Sequence, residues 1–202
     1  MDYQIKLKNG AFAKAVFTEK ILNLFIYFLT YSFVGWTIET VYMSIYHGHL
    51  MKRGFLIGPL CVVYGISSVL VIFILERLKA HPFLLFMGAS LLTTAVELIA
   101  GVIVYRIINK RLWDYSHYLF NFMGFICLRN TIIWGVLSMF LLYILHPFIT
   151  RCLMYISLRA KELMCFSAFI WLSLDISISV YTSLKGVSNL VWISQLLIRN
   201  IP

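Results

Sequence analysis

Five apolar runs of membrane-spanning length decide what this chain can fold into: Ile21–Tyr46, Phe55–Leu75, Pro82–Tyr105, Thr131–Phe148 and Leu163–Thr182. A helix needs about 20 apolar residues to cross the roughly 30 Å of a bilayer core. A transmembrane β-barrel would instead show strands of about 10 residues with strict alternation, and none of these runs alternates in that way. A sixth stretch, Val187–Leu197, contains Ser188, Asn189, Ser194 and Gln195. It is too short to cross and is expected to lie at the interface. Hydrophobic residues make up 61% of the chain and charged residues only 12%, against about 25% charged in an ordinary soluble domain. The mean hydropathy of +0.89 agrees. The expected fold is all-α: a polytopic bundle of about five spanning helices, two pairs of them related. The expected organisation is a basic N-terminal segment 1–20, a transmembrane domain 21–182 and an interfacial tail 183–202.

The formal net charge is +9. In a soluble protein this would suggest nucleic acid, but here the cations flank apolar runs, so anionic lipid headgroups are the expected partner and nucleic acid is not. Nine Lys and Arg (Lys6, Lys8, Lys14, Lys20, Arg77, Lys79, Arg151, Arg159, Lys161) fall on one side of the five spans. Eight (Lys52, Arg53, Arg106, Lys110, Arg111, Arg129, Lys185, Arg199) fall on the other. That near tie leaves orientation to the first helix, which points to a cytoplasmic N-terminus. The polar opening lacks a short apolar core followed by small residues, so it is not read as a cleaved secretory signal. Cys61, Cys127, Cys152 and Cys165 have no CxxC spacing and are read as small buried side chains rather than a disulfide framework.

Residues 32–55 align without a gap on residues 90–113. Ser32 meets Ser90, Glu39 meets Glu97, Ile45 meets Ile103, and Lys52-Arg53 meet Lys110-Arg111. The matched items include the two rarest features of a membrane helix, a carboxylate and a basic pair. The alignment predicts a repeat unit of helix, basic turn and helix, with the halves related by an axis along the membrane normal.

A carboxylate inside a spanning helix costs about 2.5 kcal/mol or more unless it faces protein or water, pairs, or stays protonated. Glu39 shares its face with Ser32, Gly35, Trp36 and Met43; Glu97 shares its face with Ser90, Thr93, Thr94 and Gly101. Small residues let helices approach closely, so both glutamates are expected to face an interior seam. A proton, cation or substrate contact and a helix fastener remain equal readings for them. Asp175, among Ser173, Ser177 and Ser179, reads better as a fastener. Arg53 follows Glu39 by 14 residues, about 21 Å along a straight helix, so the two can meet only if the chain turns back. Gly54, Gly58 and Pro59 favour such a break. Arg53 is then either an anion contact or an interface anchor. The segment 111–130 is too polar at its start to span. It holds Asp114, Asn121 and Arg129 among Tyr and Phe, and is expected to form a turn that feeds the fourth helix.

No Walker loop, HExxH, G-x-S-x-G or GxGxxG occurs, so no cofactor is expected. The His47-x-His49 pair is weak ground for a metal, and none is expected. Catalytic residues are not identified, and enzymatic activity is not the favoured reading.

Gly35-Trp36, Glu39, Arg53-Gly54-Phe55-Leu56, Gly58-Pro59 and Tyr64-Gly65 follow one another in order. Glu97, Trp113-Asp114-Tyr115-Ser116, Phe120-Asn121, Gly124 and Ile126-Cys127-Leu128 come after them. This pattern resembles the ABC-transporter type IV (CmpB-like) integral membrane proteins, whose motif runs approximately GWxxE…NRGFLxGPxxPIYG, over about residues 25–145. Lys52 stands where that motif has Asn, and Val62-Val63 where it has Pro-Ile. The resemblance implies a permease-like subunit served by a separate ATPase subunit. The expected pathway residues are Glu39, Arg53, Glu97, Asp114, Asn121 and Arg129, with a homo-oligomer or partner completing the path. A small intramembrane enzyme acting on lipid and a non-catalytic membrane scaffold or sensor are the alternatives.

Overall fold

A computed structural model describes the backbone of residues 2–185 and the side chains of residues 15–185. The Val187–Leu197 stretch and Arg199 lie outside the described residues. Among the described residues the fold is an all-α bundle of five helices: α1 Asp2–His47, α2 Val62–Leu75, α3 Pro82–Ile108, α4 Leu128–Met154 and α5 Leu158–Leu184. Of these, four are long and apolar enough to cross a membrane: α3, α4, α5 and the Ala15–His47 part of α1.

The boundaries follow local chemistry. Gly48, at φ 71°, follows the end of α1, and Asn109, at φ 52°, closes α3. Both are residue types that tolerate the left-handed C-terminal position. Pro82 opens α3, where its missing N–H is no loss. The Ser157 hydroxyl caps α5 by accepting the Ala160 N–H at 3.3 Å. In α4 a π-helical turn, Leu141–Leu145, precedes His146-Pro147. A proline inside a helix clashes with the carbonyl four residues back, and one wider turn relieves the clash.

The second apolar run differs from its expected form. Phe55–Cys61 is not helical, and α2 has only 14 residues, about 21 Å of rise. The chain leaves α1 at His47 and then runs back down beside that helix. Arg53 N–H reaches the Thr40 hydroxyl at 3.4 Å and Cys61 N–H reaches the Ser32 carbonyl at 3.0 Å. The descent from the end of α1 to Ser32 covers 15 helical residues, about 22 Å. The segment 51–61 is therefore re-entrant, and α2 begins deep in the bundle. Pro59 has no amide proton to satisfy there.

α1 packs on α2, α2 on α3 and α3 on α4. Two close helix crossings hold this arrangement. Gly65 of α2 lies against Ser32 and Phe28 of α1, and Gly135 of α4 lies against Ser90 and Phe86 of α3. A β-carbon at either glycine would overlap its neighbour. The main core joins Tyr31, Val71, Leu75, Leu85, Ala89 and Leu142 from all four helices. α5 lies against α1 and is fixed at its start by Lys161 Nζ donating to Glu19 Oε1 at 2.7 Å. Between α3 and α4, a two-residue antiparallel ladder pairs β1 Asn121–Phe122 with β2 Ile126–Cys127.

Candidate functional site

The break between α1 and α2 builds one half of a polar cluster. Glu39, on α1, accepts from Cys61 Sγ at 3.8 Å, and Arg53 lies within electrostatic reach of it. The turn back that their separation requires is thus present. Arg53 makes no ion pair within 4.0 Å among the described residues, and its buried Nε has no hydrogen-bond partner. The buried Trp36 Nε1 on α1 is also unpartnered. Lys52 turns inward and donates to the Ile57 carbonyl.

α3 and the following hairpin build the other half. Glu97 is 4% exposed, and its Oε1 accepts from the Tyr115 hydroxyl at 3.1 Å. Trp134 and Asn130 of α4 lie beside the same carboxylate. Its Oε2 has no partner of hydrogen-bonding geometry. Trp113 Nε1 donates to the Phe125 carbonyl at 2.9 Å, and both rings press on Gly101, which folds the hairpin down along α3. Burial pushes the Tyr115 phenol above its ordinary value, and the Glu97 carboxylate beside it adds to the shift.

Tyr64, in the first turn of α2, joins the halves. Its ring meets Trp134 at 4.7 Å between centroids, and its hydroxyl is within electrostatic reach of Glu39, Cys61, Tyr115 and Glu97. Below this aromatic pair lies a cavity of about 50 Å³ reached by Ser67, Thr93 and Ser138. The Ser67 hydroxyl, 2% exposed, has no protein partner.

Asp175 serves the re-entrant segment from the far side. It is 6% exposed and accepts the Ile57 N–H and the Gly58 N–H, both at 2.8 Å, and the Ser179 hydroxyl at 3.1 Å. Gly58 packs on the Trp171 ring and the Asp175 carboxylate, leaving no space for a side chain.

Among the expected pathway residues, Glu39, Arg53 and Glu97 come together. Asp114, Asn121 and Arg129 are exposed on or beside the hairpin. Asp114 accepts the Ser116 N–H at 3.0 Å and pairs with Arg111 at 3.2 Å; these contacts hold its carboxyl below the usual range, the Ser116 N–H contributing most. Asn121 donates to the Ser116 and Tyr118 carbonyls and accepts from Gly124 N–H. Arg129 donates to the Tyr118 hydroxyl at 2.7 Å and the Tyr42 hydroxyl at 3.3 Å. Asn130 and Trp134 were not named from sequence, and Cys61, Tyr64 and Tyr115 were named only as a small buried side chain or as parts of the family pattern, not as site residues. An available signal was the aromatic-glycine pair at the start of each second helix, Tyr64-Gly65 and Trp134-Gly135.

The family described as "Putative ABC-transporter type IV" matches residues 26–180, more than half of the chain. The chain belongs to that family. No curated protein and no solved structure matches it significantly. This ABC-transporter type IV chain is a multi-pass membrane protein related to transport, with its four long apolar helices inside the matched region or overlapping it.

Proposed function

We propose that the chain is the permease-like component of a bacterial transport system in the cell membrane, with its N-terminus in the cytoplasm. A polar or charged solute passes between the α1–α2 pair and the α3–α4 pair, driven by a separate ATPase subunit or an ion gradient. The carrying observation is the Glu97 carboxylate, buried with Oε2 unpartnered, opposite a helix that starts at a re-entrant break. Bilayer interiors offer no water to bare polar groups, so unpartnered groups of this kind belong at a ligand or a hydrated path. Irregular backbone at membrane depth is tolerated where it lines such a space, and discontinuous helices form transporter sites. In this reading Glu39 and Glu97 handle protons or cations, Arg53 meets anionic groups, and Asp175 fastens the break.

The internal repeat belongs to the same proposal. It is supported by the matched crossings Ser32 on Gly65 and Ser90 on Gly135, and by Tyr64 meeting Trp134 between the halves. The test is proton and rubidium flux in proteoliposomes containing the full chain. Glu39→Gln and Glu97→Gln are expected to abolish flux while thermal stability holds. Lost stability with unchanged flux would refute the transport reading in favour of a scaffold.

A further inference from the structure

The hairpin between α3 and α4 carries an apolar tip that the pathway does not use. Leu119, Phe120, Phe122 and Met123 are 84, 80, 56 and 62% exposed, respectively, and none lies in a spanning stretch. Phe120 and Met123 both adopt φ 53°, a left-handed conformation that bulky side chains avoid. Hydrogen bonds enforce it: Leu128 N–H to the Phe120 carbonyl at 3.2 Å, Phe125 N–H to the Phe122 carbonyl at 3.1 Å, and the Asn121 amide to Ser116 and Tyr118. Strain held in this way, presenting four apolar side chains outward, marks a surface that something covers.

Two observations identify the cover. First, β2 runs directly into α4, whose spanning stretch opens at Leu128, so the tip sits at the depth where α4 enters lipid. Tyr118, its ring against Arg129, accompanies it, as in an interfacial aromatic belt. Second, the charge is one-sided. Between residues 106 and 129 stand Arg106, Lys110, Arg111 and Arg129, with Asp114 as the single acid. Asp114 is taken by Arg111, whereas Arg129 is braced by Tyr118 and Tyr42 and has no carboxylate partner among the described residues. We infer that this hairpin is a lipid-binding site: its tip enters the acyl layer, and Arg129 takes the phosphate of an anionic headgroup. This holds whether or not the chain transports anything.

The test uses the full chain in nanodiscs of phosphatidylcholine with phosphatidylglycerol. Met123→Cys carries an environment-sensitive fluorophore, with the exposed Cys152 replaced by Ser. The expected result is blue-shifted emission, quenching by lipids brominated near the glycerol end of the acyl chain, and protection from aqueous iodide. Iodide quenching with indifference to brominated lipid would overturn the inference and assign the tip to a soluble protein partner. Arg129→Gln is expected to lower co-purified phosphatidylglycerol about fivefold, the weight of one basic residue at an anionic surface. Unchanged retention in Arg129→Gln would overturn the headgroup assignment.

Discussion

Glu39 and Glu97 occupy matching places in their helices, yet their surroundings differ. Glu97 is buried, takes a phenol hydrogen bond at 3.1 Å and has Trp134 and Asn130 beside it. Glu39 is partly exposed, and its one hydrogen-bond donor among the described residues is a thiol at 3.8 Å, with the Arg53 cation nearby. The connections differ in the same sense. After α1 the chain is a non-helical re-entrant segment whose Ile57 and Gly58 amides are tied to Asp175; after α3 it is a hairpin that pairs its own backbone. One side is organised around charge and borrowed partners, the other around neutral donors and local hydrogen bonds. The Glu39 side should therefore depend on distant residues, and the Glu97 side should be locally robust.

The sharpest way to break this contrast is Asp175→Ala. It strips the Gly58 N–H of its acceptor, at about 1–3 kcal/mol, and leaves the Ile57 N–H with Ser179 Oγ alone, at about 0.5–1.5 kcal/mol, which together correspond to roughly 3–18 °C of melting temperature at 2–4 °C per kcal/mol for a chain of this size. Asp175→Asn retains an acceptor oxygen and should lose less than half as much. Scanning fluorimetry in detergent reads both, and a silent Asp175→Ala would mean that the re-entrant segment does not lean on α5.

Next in size are Gly65→Val and Gly135→Val. Overpacking a tight crossing costs about 1–3 kcal/mol; each glycine meets a serine of the partner helix, and Gly65→Val should cost somewhat more because it also meets the Phe28 backbone carbonyl, whereas Gly135 faces the Ser90 and Phe86 side chains. Unequal losses beyond about 2 kcal/mol would count against the related-halves reading.

Much of this was legible in sequence because membrane burial writes long signals. Five apolar runs gave five helices, and Glu97 with Ser90 and Thr93 on one face pointed to an interior seam, where all three are buried. The re-entrant path was only partly legible. Gly54, Gly58 and Pro59 announced a break, but hydropathy counts apolar residues whether or not they are helical, so Phe55–Cys61 passed as helix. Asp114 and Asn121 could not be placed, because a polar residue that caps a hairpin looks the same in sequence as one that lines a path. Trp134 escaped notice, and Tyr64 stood out only within the family pattern, because aromatic residues inside apolar runs carry no mark of the ring they will meet.

Smaller again is Tyr115→Phe, which removes one donor to Glu97 at about 1 kcal/mol. Cys61→Ala on the other side removes only a long thiol contact and should stay within ~0.5 kcal/mol. The difference between them, measured by scanning fluorimetry, is the energetic form of the contrast between the two carboxylates. A Cys61→Ala loss equal to that of Tyr115→Phe would erase it.

The smallest expected effect concerns Asp114 and the local order of the hairpin. The Ser116 N–H and Arg111 favour the ionised carboxylate, so its folded-state value lies below the ordinary 3.8. A depressed acid supports the folded form above its unfolded value and loses that support as pH falls through the folded one. The support is therefore complete at neutral pH and begins to fade below 3.8. Because the group is exposed, the loss is local loosening rather than unfolding. Protection of the Ser116 and Gly124 amides, taken relative to the intrinsic exchange rate at each pH, should fall in acid in the parent protein, while Asp114→Asn should show the lower protection already at neutral pH, with little further change in acid. Acid-driven loss of protection that persists in Asp114→Asn would locate the sensitive group elsewhere and remove the claim that the hairpin is held by its own residues.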